Sequence, residues 1–123
     1  MHKGAFVLLV VAAIAWAALL YITVHAIDTM GFASAGDYFF GDFSHPWRRQ
    51  FNADFAIHML TVGVWMIWRS RSLIVGLICA ALAVNLGALF TLPYIIIAIW
   101  QARGNVSAAL SGKHYEADRL NIR

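Results

Sequence analysis

The chain is short of charge. Asp, Glu, Lys and Arg make up 12% of its 123 residues, about half the share in an ordinary soluble domain. That scarcity excludes a disordered, charge-extended chain and a basic nucleic-acid-binding arm. A single cysteine, Cys79, rules out an intrachain disulfide and any paired-cysteine metal site. There are only two prolines, Pro46 and Pro93. The sequence has no internal repeat, low-complexity stretch, phosphate loop, nucleotide fingerprint, haem-attachment motif or H-E-x-x-H pair.

What is present is apolar. Hydrophobic residues reach 62% and aromatics 14%, with a mean hydropathy of +0.72. A chain of this size buries only about two-thirds of its surface, so in water much of that apolar excess would stay exposed. A bilayer is the expected solvent. The excess of nine Lys and Arg over six Asp and Glu then belongs in the flanks that set topology, and no nucleic-acid partner is expected.

The pattern predicts an all-α integral membrane protein with three transmembrane helices, since about 20 apolar residues cross a hydrocarbon core. The first span covers residues 4–27 and contains no Asp, Glu, Lys or Arg. Its apolar run is too long for a cleaved signal peptide, so it reads as an uncleaved anchor. The second covers 51–68, with Asp54 and His58 in its first turns and Trp65 and Trp68 before Arg69 and Arg71. The third covers 73–102, is again free of formal charge, and is expected to kink at Pro93. Residues 28–50 form an aromatic interfacial loop, 69–72 a tight turn that pairs the last two spans as an antiparallel hairpin, and 104–123 a polar tail, either a short surface helix or a mobile segment, outside the domain formed by 1–103.

Three spans put the termini on opposite sides. Lys3, Arg69 and Arg71 then oppose Arg48, Arg49, Arg103 and Lys113, and the positive-inside rule barely separates the two sets. The short loop holding Arg69 and Arg71 favours an inside N-terminus. Small residues four apart, at Ala13 and Ala17, Gly76 and Ala80, and Ala83 and Gly87, suit close helix approach in lipid.

Ionisable groups concentrate at one end. Tyr21, His25 and Asp28 share a stripe on the first span, and Asp54, His58, Thr61 and Trp65 share one on the second. Asp54 is the foremost candidate, as a general acid, proton relay or ligand group. Alternatively it sits at a helix N-terminus, with Asn52 as the N-cap. His58 lies at i+4 from Asp54 and would orient it. His25, His45 and His58 together have the ligand chemistry for a transition metal, although no motif supports such a site, and no cofactor is expected. Asn85, midway along the third span, is expected to hydrogen-bond another helix.

The runs His45-Pro46-Trp47-Arg48-Arg49-Gln50-Phe51-Asn52-Ala53-Asp54-Phe55 and Gly87-Ala88-Leu89-Phe90-Thr91-Leu92-Pro93-Tyr94, with Trp65 to Arg69 between them, resemble a family of small uncharacterised bacterial integral membrane proteins. The resemblance covers residues 45–104, with Phe51, Asp54, Gly87 and Pro93 as its pattern positions. It implies a multi-pass protein of the bacterial inner membrane and no established activity.

Two functional expectations follow. One is a non-enzymatic accessory or scaffold component, partnered by membrane lipid and by a larger complex or further copies of itself. The other is a small intramembrane enzyme or binding protein for a lipid or isoprenoid. There Asp54 would act as acid and His58 as its orienter, as buried acids do in helical terpene cyclases.

Overall fold

The computed structural model describes residues 1–41 and 43–115. All regular structure among them is helical. α1 spans Lys3–Met30, α2 Ser34–Phe40, α3 Pro46–Arg69, α4 Leu73–Leu86, α5 Ala88–Gln101 and α6 Val106–Ser111, with a 3-10 turn at Gly112–His114. At about 1.5 Å per residue, α1 is ~42 Å long, α3 ~36 Å, and α4 and α5 ~21 Å each. Among the described residues, α1 is the one helix both long and apolar enough to cross a membrane. α3 has the length, but Arg48, Arg49, Asp54 and His58 lower its hydropathy. α4 and α5 are apolar but short.

α3 starts five residues before the expected second span. Pro46 occupies its first turn, where the missing N–H costs nothing, and His45 Nδ1 accepts the Arg48 N–H at 3.4 Å. Asn52 is therefore not an N-cap. Its side-chain amide instead donates to the Phe39 carbonyl at 2.6 Å, tying α3 to α2. Asp54 lies two turns inside the helix rather than in its first turn.

The expected third span is two helices. The chain breaks at Gly87, which has φ 61° and ψ −137°, and not at Pro93, which lies inside α5. A proline at position 93 leaves the carbonyl of residue 89 without its helical donor. The indole of Trp16 on α1 supplies the replacement, donating to the Leu89 carbonyl at 2.9 Å. Trp16→Phe should therefore cost about 1–3 kcal/mol by orphaning that carbonyl. Pro93→Ala in the same chain should recover most of the loss, because Leu89 regains a backbone partner. A thermal-melt double-mutant cycle in detergent reads this, and additive losses would exclude the coupling.

Contacts along the helices define the topology. Ala5 shares a buried cluster with Ala98 and Ile99, Leu9 and Ile95 pack against it, and Trp16 meets Leu89. Numbers fall along α5 as they rise along α1, so the two are antiparallel. Likewise Gly76 lies against Ile67, Gly63 against Ala80 and Gly87 against Phe55, which makes α3 and α4 the expected antiparallel hairpin. The small residues Gly76, Ala80 and Gly87 line that contact and Ala83 on the same stripe is buried, whereas Ala13 and Ala17 on α1 are exposed.

α4 and α5 also fold back on each other from Gly87. The first residues of α4 and the last of α5 line one cleft, including Ser72, Val75, Ala98 and Gln101. A continuous helix over 73–101 would hold its ends ~43 Å apart. The start of α1, the end of α3, the start of α4 and the end of α5 therefore meet at one end of the molecule, here the tail end. Arg103 and Lys113 return to the side of Lys3, Arg69 and Arg71, contrary to the expected opposition. Asp28, Asp37, Arg48, Arg49 and Asp54 occupy the other, loop end.

Candidate functional site

At the loop end the expected cluster is not assembled. Asp54 and His58 are both exposed on α3 and, among the described residues, neither makes a hydrogen bond or ion pair. His25 stacks on Tyr21, with ring centroids 6.4 Å apart and planes 11° off parallel. The described residues contain no group of three or more His, Cys, Asp or Glu placed to hold a metal ion, so His25, His45 and His58 do not converge. The reason lies in the packing: α1 lies along α5 and α3 along α4, so the stripes carrying Asp28 and Asp54 are not facing partners. Asp42, on the loop expected to join the two stripes, falls outside the described residues. Asn85 does not bridge helices. It is exposed, and its amide donates back to the Ala81 carbonyl at 2.8 Å.

The built polar structure is at the tail end, and Arg69 is its centre. The last residue of α3, half-buried, it donates from Nε to the Ala109 carbonyl at 2.9 Å and from Nη1 to the Tyr94 hydroxyl at 2.7 Å. Its guanidinium carbon lies 5.6 Å from the Trp65 ring centroid and 5.2 Å from that of Tyr94, within cation–π range. One side chain thus joins α3, α5 and α6. The Trp65 and Tyr94 rings thus hold a cation of the chain itself.

Residues 104–115 belong to this assembly rather than to a solvated tail. Asn105 caps α6 by accepting the Ala108 N–H at 3.1 Å. The Trp65 indole donates to the Leu110 carbonyl at 3.1 Å. His114 stacks on Trp68, with centroids 4.3 Å apart, and its Nε2 lies 3.0 Å from the Trp68 carbonyl. Gly112, with φ 54°, sits so close to Arg69 that a Cβ would collide with the Arg69 backbone carbonyl. The remainder of the tail, residues 116–123, lies outside the described residues.

Between these elements is an open cleft of about 640 Å³, lined by Arg69, Ser70, Arg71, Ser72, Lys113 and Tyr115 among others. No acidic residue lines it among the described residues. Beside it is a second cavity of about 220 Å³ with apolar walls, including Leu8, Trp65, Ile95, Ile99 and Leu110. Ala98 and Ala109 border both. Sequence reasoning missed this site because its cations come from the 69–72 turn and from a segment read as solvated tail. The one available signal was the dense basic turn itself.

The chain matches no protein-family model, no curated protein and no solved structure.

Proposed function

We propose that this chain is a multi-pass, bilayer-embedded protein without chemistry of its own, acting as an accessory or scaffold component of a larger membrane assembly. The observation that supports this is where the apolar side chains lie. Among the described residues the buried apolar core is Ala5, Met59, Met66, Ala83, Ala98, Ile99 and Ala109, and Met66 is the one large side chain fully enclosed. Residues such as Ile14, Val64, Leu73 and Ile74 are 65%, 66%, 65% and 71% exposed. Four alanines, two methionines and one isoleucine cannot hold such a chain together in water, where burial of large apolar side chains supplies the main stabilisation. In a bilayer the exposed residues are solvated, and close small-residue contacts of the Gly63–Ala80 and Gly76–Ile67 kind become the packing force.

In this reading α1 and α3 cross the membrane, and α4 and α5 form a re-entrant hairpin turning at Gly87. Both ends of the described chain then lie on one side. The positive-inside rule, indecisive for three spans, favours a cytoplasmic tail end, with Lys3, Arg69, Arg71, Arg103 and Lys113 against Arg48 and Arg49. The enzymatic alternative draws no support from Asp54 and His58, which are exposed and line neither cavity.

Single cysteines at His2, Gly36 and Ser107 in a Cys79→Ala background test the topology. Positions 2 and 107 should label from one side and 36 from the other, in protein that resists carbonate extraction. Labelling of 2 and 107 from opposite sides, or release by carbonate, would overturn it. A mild-detergent pull-down should recover a stoichiometric membrane partner, equally with Asp54→Asn. A clean, partner-free monomer would count against the accessory role.

A further inference from the structure

We propose that the tail-end cleft binds the phosphate headgroup of an anionic membrane lipid, with one acyl chain laid in the adjoining apolar crevice. This rests on the bilayer-embedded reading above and gives that end a ligand.

The cleft has the chemistry of a phosphate site. Arg69, Arg71 and Lys113 contribute cationic donors, and Ser72, whose oxygen accepts the Val75 N–H, contributes a hydroxyl donor. Guanidinium and ammonium groups hold phosphate by charge-assisted hydrogen bonds. The first turn of α4, a 14-residue helix capped by Ser72, borders the cleft and adds the positive end of its dipole. Arg69 is already oriented by Ala109 and Tyr94, so it need not be ordered on binding. Arg71 and Lys113 make no hydrogen bond or ion pair among the described residues, and both are exposed.

Two observations favour a lipid over a soluble anion. The apolar crevice adjoins the cationic cleft, with Ala98 and Ala109 bordering both, which places a hydrocarbon-lined recess beside a charged one, as an amphiphile requires. The flank of the cleft is also apolar, with Leu73, Ile74 and Val75 exposed at the start of α4. A cytoplasmic tail end would meet the leaflet surface where anionic lipids attract basic groups.

Tryptophan quenching by brominated lipid provides the test, because Trp65 lines the crevice. The full chain is reconstituted in phosphatidylcholine vesicles containing either brominated phosphatidylglycerol or brominated phosphatidylcholine. Quenching should be markedly stronger with the anionic lipid. Arg71→Gln with Lys113→Gln should weaken that preference about 30-fold in apparent affinity, roughly fivefold for each cation lost. The charge-preserving pair Arg71→Lys with Lys113→Arg should retain it, which separates charge from a folding defect.

Equal quenching by the two lipids in the parent protein would overturn the proposal, as would a preference unchanged in the Gln pair. Equal quenching by the two lipids, together with binding of inorganic phosphate that is lost in the Gln pair, would identify a soluble anion as the ligand and overturn the lipid assignment. Protein that fails to enter the vesicles would count against the bilayer-embedded reading. Stable insertion without a lipid preference would overturn the headgroup site alone.

Discussion

Gly87→Ala is expected to destabilise the chain by about 1–3 kcal/mol, the cost of holding a residue with a Cβ in a backbone region that glycine alone enters freely. At φ 61° and ψ −137°, Gly87 is the whole connection between α4 and α5. An added Cβ would also lie 3.2 Å from the Phe55 ring, but that side chain is partly exposed and able to shift, so the backbone term dominates. The strain has an exit. If residue 87 turns helical, α4 and α5 become one rod of ~43 Å, and the Trp16–Leu89 and Arg69–Tyr94 bonds cannot both survive. Cysteines at Leu9 and Ile95, which pack in the same cluster, should cross-link efficiently in a Cys79→Ala background and poorly once Gly87→Ala is added. Gly36→Ala is the control, since a Cβ there meets nothing within 4 Å. Cross-linking and melting that match the parent's would show that the corner does not depend on glycine.

Arg69→Ala is expected to cost about 2–4 kcal/mol and to release residues 104–115. Each hydrogen bond from a charged group contributes about 1.5–3 kcal/mol, and the two made by Arg69 act on the same side chain, so their losses are not additive. The contacts over Trp65 and Tyr94 add about 0.5–1 kcal/mol at a partly exposed site. Arg69→Lys keeps the charge but not the planar fork that reaches Ala109 and Tyr94 together, so it should recover less than half of the loss. Limited proteolysis distinguishes the outcomes. The parent should resist cleavage through residues 104–115, the Ala variant should be cut there while α1 to α5 stay protected, and the Lys variant should lie between. An Ala variant as protected as the parent would remove Arg69 from this role.

Much of the architecture was readable from residue order. The helical character, the apolar exterior and the antiparallel pairing of α3 with α4 follow from uncharged runs of helical length and a 69–72 turn too short for any other path. The stripe of Gly76, Ala80, Ala83 and Gly87 was legible as a contact face, because small residues four apart fall on one side of a helix whatever they meet. That Pro46 opens α3 follows from local chemistry as well, although the aromatic loop around it drew the expected start later, to Phe51.

What tertiary structure alone decided was direction. A glycine in an apolar run serves as well in a straight helix as at a corner, and the choice at position 87 depends on Trp16, Phe55 and Arg69, all distant in sequence. Once the chain turns there, α5 pairs with α1 and carries Arg103 and Lys113 back to the same end of the molecule as Lys3. The stripes bearing His25, Asp28, Asp54 and His58 belong to helices that each pack on a different partner, so the cluster drawn from residue spacing does not form. Arg69, which spacing marks only as a boundary charge, becomes the joint of three helices. Periodicity records which face of a helix is apolar or polar. Which faces meet depends on contacts between residues far apart in the chain, and those arise only when the whole chain packs.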